Sequence, residues 1–205
     1  MWVGLAVALA LVGAVLAGPL SSRVEHPKYH LVEADGKFEI RDYPAMIVAQ
    51  VELTGPREAT LKQGFRMIAG YIFGGNSAAH KVSMTAPVTQ QAGARIAMTA
   101  PVAQQAVDGK WCVRFVMPAG YTLQSLPRPN DPAVKLEEIP ARRFAVIRFS
   151  GLARERSLAR HEQQLDGYVR AKGLKALSAP IDAYYNPPWT LPFLRRNEIM
   201  LQIAF

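Results

Sequence analysis

Residues 40–55, IRDYPAMIVAQVELTG, return at residues 136–151 as LEEIPARRFAVIRFSG. Ile40, Pro44 and Ala45 answer Leu136, Pro140 and Ala141; Val51, Leu53, Thr54 and Gly55 answer Ile147, Phe149, Ser150 and Gly151. Each copy runs through a strand, a proline breaker, a β-rich strand and a glycine that opens a helix. Equal spacing through three kinds of local signal is the mark of a duplication rather than of shared composition.

Outward from this pair, the same order holds in both halves. Upstream, Tyr29–Glu33 and Lys37–Arg41 flank Ala34-Asp35-Gly36, and Asp-Gly between apolar-rich runs signals a hairpin. Ala45–Leu53 is a strand, and Pro56 suits the first turn of a helix over residues 57–73. Leu61, Phe65, Ile68 and Ile72 give that helix an apolar stripe, and Gly74-Gly75-Asn76 ends it. Trp111–Met117 is a strand, and a loop with Pro118, Pro127, Pro129 and Pro132 leads into the second copy. There Leu158, Leu165 and Val169 stripe a second helix, with strands near Ile181–Tyr185 and Glu198–Phe205. The expectation is an α+β fold: duplicated ββαββ halves, about residues 37–117 and 134–205, with a mainly antiparallel sheet. Two such halves leave a cleft or barrel mouth between them, a favoured place for a ligand.

With 205 residues, about half of them apolar, the chain has enough material for one sizeable core. Cys112 is the single cysteine, so no intramolecular disulfide forms, and no CxxCH is present for covalent haem attachment. The net charge of +8 is lopsided. Residues 21–73 carry seven basic and seven acidic side chains, and residues 142–175 carry nine and three. Such an excess suits a solvated face, ligand carboxylates or anionic lipid; no aromatic-interleaved basic motif points to nucleic acid. The sequence holds no GxSxG, GxGxxG, phosphate-loop GK[ST] or CxxC pattern. Glu137 and Glu138 are neighbours on a strand and face opposite ways. These features point to a binding protein rather than an enzyme.

Met1–Ser22 has no charged side chain and is long enough to span a bilayer as a helix. A small-residue cleavage site after Ala17 would instead make it a secretory leader. The expectation is export, to the periplasm or to a membrane anchored by this segment, with residues 23–205 as the folded domain. Within that domain Met84-Thr85-Ala86-Pro87-Val88 recurs as Met98-Thr99-Ala100-Pro101-Val102. Proline lacks an N–H, so each copy is expected at an edge strand or a strand end.

This doubled phrase, Phe38-Glu39-Ile40-Arg41 before Tyr43, Trp111–Pro118 (WCVRFVMP), Phe149-Ser150-Gly151, and Tyr185-Asn186-Pro187-Pro188 through Arg196-Asn197-Glu198 together resemble the SOUL haem-binding family, its bacterial members in particular. The resemblance implies a distorted eight-stranded barrel with two long helices, also similar to the ligand-binding domains of multidrug-sensing regulators. It implies non-covalent binding of haem or a related tetrapyrrole in a hydrophobic cleft beside the first helix, for storage, buffering or transfer. The same cleft would equally suit another amphipathic small molecule or a protein partner.

Haem asks for an apolar slot, cations for its propionates and an optional axial ligand. Lys62 stands where a haem-binding relative has a basic residue, Arg66 follows one turn on, and Met67 and Tyr71 share a face at i and i+4. Some relatives carry histidine in an Arg-His-Tyr triplet; here it is Arg41-Asp42-Tyr43. Of the four histidines, His26 adjoins the leader and is expected to be mobile, His30 is on the first strand, and His80 precedes the doubled phrase. His161 falls on the apolar stripe of the second helix, either as a hydrogen-bonded core residue or as the axial metal ligand. His161-Glu162 begins a zinc-like HExxH phrase, but residue 165 is leucine.

Overall fold

The computed structural model describes residues 24–77 and 93–205. The N-terminal apolar run, His80 and the first copy of the doubled phrase lie outside them. The elements are β1 (His30–Asp35), β2 (Phe38–Tyr43), β3 (Met46–Leu53), α1 (Arg57–Ile72), β4 (Asn76–Ser77), β5 (Val102–Val107), β6 (Lys110–Val116), β7 (Arg128–Pro129), β8 (Lys135–Ile139), β9 (Arg142–Phe149), α2 (Glu155–Ala171), β10 (Ile181–Tyr184) and β11 (Asn197–Ile203), with a 3-10 turn at Pro192–Leu194. The Asp-Gly signal is realised: β1 and β2 form an antiparallel hairpin, and Gly36 takes a φ of 60° that costs glycine little. The second Met-Thr-Ala-Pro-Val phrase leads into β5 and ends where that strand begins, so its proline removes no central ladder bond.

Nine strands form one antiparallel sheet in the order β1-β2-β9-β11-β10-β5-β6-β3-β8, and β4 pairs separately with β7. The strand order is matched from its two ends. After the outer strand β1, the series β2, β9, β11, β10 corresponds to β8, β3, β6, β5 from the other side. The α+β class and the antiparallel pairing are as expected; the closed eight-stranded barrel is not. Among the described residues β1 and β8 stand at opposite ends and do not pair. Both outer strands carry exposed charge, Asp35 on one and Lys135 and Glu137 on the other. Charged edges of this kind oppose edge-to-edge joining.

Alternation assigns each sheet face. Ala49, Val51, Val113 and Phe115 meet Ile68, Tyr71 and Ile72 of α1. Ile40, Ala145, Ile147, Ile199 and Leu201 meet Leu158, Leu165 and Val169 of α2. The two helices thus cover two separate apolar clusters on one face. One residue of the expected stripe departs: Phe65 is 40% exposed, although its ring centroid lies 5.6 Å from that of Phe115. Gly64 takes the contact position instead. A Cβ there would stand 2.7 Å from Val113 Cβ, so α1 approaches β6 as closely as it does only because no side chain intervenes.

The other face has its own cluster, including Tyr43, Phe144, Val146, Ile181, Ala183 and Met200. Beside it lies a buried charge network. Arg41 is fully buried and donates to both Glu198 oxygens, Nη1 at 2.8 Å and Nη2 at 3.0 Å, across the intervening β9. Its Nε donates to Glu39 at 2.6 Å, and its guanidinium lies 4.4 Å from the Tyr29 ring centroid. Glu198 also accepts from Tyr185 Oη at 2.7 Å and Arg196 Nη2 at 2.7 Å. Burial works against ionising Glu198, but the Arg41 hydrogen bonds and charge, with Arg196 and Tyr185, hold its carboxyl below the ordinary value of 4.5.

Two outcomes follow. Gly64→Ala should lower stability by about 1 kcal/mol or more in urea denaturation, because overpacking against Val113 outweighs alanine's helix preference; a stabilised variant would show that the helix can shift. Glu198→Ala leaves Arg41 buried and unpaired and should cost about 3–5 kcal/mol. Since the folded Glu198 pKa lies below its unfolded value, its contribution is present above the unfolded value near 4.5 and is lost as pH falls through the folded one. The gap between the wild type and the variant should therefore narrow in denaturation series taken below about pH 4.5. A gap that stays constant would remove Glu198 as the titrating group.

Candidate ligand-binding cleft

The chain from Val24 to Lys28 runs across the face opposite the helices and is tied down there. Glu25 forms a parallel bridge with Thr99, the Ala100 N–H donates to Glu25 O at 3.0 Å, and the Ala119 N–H donates to Glu25 Oε1 at 3.2 Å. His26 Nδ1 lies 3.3 Å from the Ala100 carbonyl, and its ring centroid is 5.5 Å from that of Tyr185. His26, expected to be mobile beside the leader, is exposed and makes these two contacts. A carbonyl only accepts, so His26 donates through Nδ1, and its Nε2 makes no hydrogen bond among the described residues.

Two cavities meet at this segment and share Pro27, Met46 and Val116. The inner one, about 90 Å³, lies against the apolar side chains of Tyr43, Phe144, Ile181 and Met200. The outer one, about 530 Å³, is lined by Met46, Ile47, Met117, Tyr121 and Leu123, and also by His26 and Lys28. That volume falls within the usual range for small-molecule sites, about 300–1,000 Å³. The Met117 N–H donates to Ile47 O at 2.8 Å, and Thr99 Oγ1 donates to Val116 O, so the walls are held by backbone as well as by contact. Glu25 and Glu138 also line the outer cavity, so Lys28 is the local cation in a mixed field.

For haem, the donor set fits in kind: one imidazole, and apolar walls carrying two methionines and a tyrosine, with a lysine beside them. Among the described residues no group of three or more metal-ligating side chains exists. A single imidazole is nevertheless enough for non-covalent haem ligation.

The residues expected from the sequence are not gathered in this cleft. Lys62 is exposed and ion-pairs with Glu58 at 2.7 Å on the helix surface, an arrangement worth little. Arg66 is exposed one turn on. Phe65 is exposed on α1 as these two cations are, and Phe73, 57% exposed, follows the last residue of the helix. Met67 is half-buried in the α1 cluster, and Tyr71 is buried there. Burial, with a contribution from Tyr121, pushes the Tyr71 hydroxyl up to about 12, and it donates to Pro127 O at 2.9 Å. His161 lies in the other half, stacked on Phe149 at 3.9 Å, with Nδ1 2.7 Å from Ser157 O. Burial lowers its pKa, which disfavours the charged ring. Cys112 is buried, and burial raises its thiol pKa.

A further polar group had no sequence signal, because its members lie far apart in the chain. Between the helices Arg57 ion-pairs with Asp182 and donates to Tyr184 Oη at 2.5 Å; Gln104 Nε2 donates to Arg57 O at 2.9 Å and to Thr60 Oγ1 at 3.1 Å. Gln104 Oε1 and Asp182 Oδ1 are buried without a partner among the described residues. Burial raises both Asp182 and Glu162, the latter on α2, even though Arg57 opposes each shift.

Solved structures share the architecture. The C-terminal domain of EcmrR is 12% identical with a TM-score of 0.56, covering 86% of this chain and 98% of that one. A hydrolase from Listeria innocua is 12% identical with a TM-score of 0.55, covering 84% and 94%. EcmrR in a complex with DNA is 15% identical with a TM-score of 0.56, covering 96% and 65%. At these identities the likeness concerns the fold alone. No curated protein matches the sequence. The family profile described as SOUL heme-binding protein matches residues 24–202. Those bounds take in the whole sheet to within one residue of its end, both helices and the cleft, and the chain belongs to the SOUL heme-binding protein family.

Proposed function

We propose that the protein binds haem or a related tetrapyrrole non-covalently, for storage, buffering or transfer, without itself catalysing a reaction. The observation that carries this reading is the cleft of about 530 Å³. Its apolar walls suit a macrocycle, Lys28 suits a propionate, and the His26 imidazole suits an axial position through Nε2. The inner cavity suits a small substituent of the ring or a separate apolar guest. Export through the N-terminal apolar run, with the domain beginning near residue 23, belongs to the same proposal. So does the internal duplication, which the matched order of strands in the two halves supports.

A second seat is favoured by one observation: the exposed surface of α1 presents Phe65 together with Lys62 and Arg66, and Phe73 is exposed just past its end. An amphipathic anion could lie flat there with its carboxylates on the two cations. Met67 and Tyr71 would then support the seat from beneath, and His161 would keep its place in the core.

Haemin titrated into the full chain in mild detergent should give a shifted Soret band that saturates at one-to-one stoichiometry. His26→Ala should weaken binding at least about tenfold, roughly 1.4 kcal/mol, and change the iron spectrum. His161→Ala should leave the spectrum as it was. Loss of binding in Lys62→Glu/Arg66→Glu with an unaltered His26→Ala response would move the seat to α1. If haemin gives no Soret shift at micromolar concentration while a metal-free porphyrin or another amphiphile raises the melting temperature, the ligand is of a different class.

A further inference from the structure

The segment Asn186–Arg195, NPPWTLPFLR, connects β10 to β11 and has no part in the cleft. It is firmly built. Arg195 Nε donates to Thr190 O at 2.7 Å, and its Nη2 donates to Pro188 O at 2.5 Å. The Thr190 N–H donates to Pro187 O at 3.0 Å, the Arg196 N–H to Asn186 Oδ1 at 2.6 Å, and the Gly151 N–H to Pro192 O at 2.9 Å. Yet this rigid loop turns its large apolar side chains outward. Trp189 is 77% exposed and Phe193 69%, with Leu191, Leu194 and the neighbouring Leu152 exposed as well. Scattered apolar residues on a surface need no explanation, but several held together by a dedicated hydrogen-bond frame do.

Three observations say what covers them. First, the composition is aromatic and leucine at the tip with arginine behind it, the pattern of segments that sit at a lipid–water interface. Second, Arg154 and Arg156 follow Leu152 at the start of α2; both are exposed, and among the described residues neither forms an ion pair. They stand in the stretch 142–175, with its nine basic and three acidic side chains. That charge complements anionic headgroups. Third, the point at which the uncharged Met1–Ser22 run joins the fold lies at the root of this loop. Val24 belongs to the cluster that contains Tyr185, and His26 rests near the Tyr185 ring, one residue before Asn186.

We propose that the Asn186–Arg195 loop is a membrane-docking element that seats Trp189, Leu191, Phe193 and Leu194 in the interface of an anionic bilayer, with Arg154 and Arg156 against its headgroups. A membrane held by the N-terminal run and one met by this loop would be the same surface, so the domain would lie on the bilayer in one orientation instead of swinging beneath a tether.

The test uses the full chain with Trp2→Phe and Trp111→Phe, which leaves Trp189 as the single tryptophan, mixed with vesicles of phosphatidylcholine and phosphatidylglycerol. Trp189 emission should shift to the blue and be strongly quenched by bromine-labelled acyl chains in protein that floats with the vesicles. Phe193→Ser/Leu194→Ser should reduce the quenching, as should Arg154→Ser/Arg156→Ser at low salt, the latter without touching the loop. Flotation with an unquenched Trp189 overturns the proposal, because the protein would then be held by its N-terminal segment alone. Failure to float overturns it as well. A blue shift that arises without vesicles and grows with protein concentration also overturns it, in favour of a second copy of the chain as the partner. Equal quenching on pure phosphatidylcholine overturns the assignment of the two arginines.

Discussion

The charge pair between Arg41 and Glu198 holds the sheet at the place where the chain is least local. It links β2 to β11 over the top of β9, and the two residues are 157 positions apart. Burying two ions is costly, and a pair of this kind is sustained only when the remaining donors and acceptors are satisfied. Here they are: Glu39, Tyr43 and Glu198 take the Arg41 donors, while Tyr185 and Arg196 complete Glu198. The ring of Tyr29 lies over Arg41, and that of Tyr185 over Arg196. Through Tyr185 the network reaches His26, and so the wall of the cleft. An electrostatic requirement of the sheet thereby sets the position of the imidazole on which the binding proposal rests.

The division of labour between the two sheet faces follows from strand alternation. Helix-facing positions on β3, β6, β9 and β11 are filled by two self-contained apolar clusters, one under each helix. The other face is left for a smaller cluster, the charge network and the cavities. Neither helix is needed to enclose the cleft, whose walls come from β3, the end of β6, the loop that follows it and the chain before β1.

The elements were largely legible in the sequence because their signals are local. Asp35-Gly36 announced the first hairpin, Pro56 and Gly74 bracketed α1, and the spacing of Leu158, Leu165 and Val169 gave the buried side of α2. Phe65 shows the limit of spacing: it fits the apolar stripe, but Gly64 is the residue that meets β6, and the helix is turned accordingly. The open sheet was not legible either: the resemblance implied a closed barrel, and strand patterns do not say which edges meet. The cleft was the least accessible of all. His26 is fixed by Ala100 and Tyr185, and its apolar walls come from residues 46 to 123, so no window of sequence contains the site. The same distance hid Arg57 and Asp182, which look like an ordinary helix start and an ordinary strand residue until the sheet is assembled.

The seam between β5 and β10 has a mechanical consequence. It is where the half that carries α1 joins the half that carries α2, and neither helix cluster crosses it. On the helix face it is bridged by polar atoms, the Arg57–Asp182 pair and the Gln104 hydrogen bonds, with two buried acceptors left unsatisfied among the described residues. An interface secured by direction-dependent bonds yields over a shorter displacement than one secured by apolar burial. The two faces of the seam are thus held by different forces: polar contacts on the helix side, and on the other side apolar burial, where Ala100 and Ala103 pack with Ile181 and Ala183 over the β5–β10 ladder.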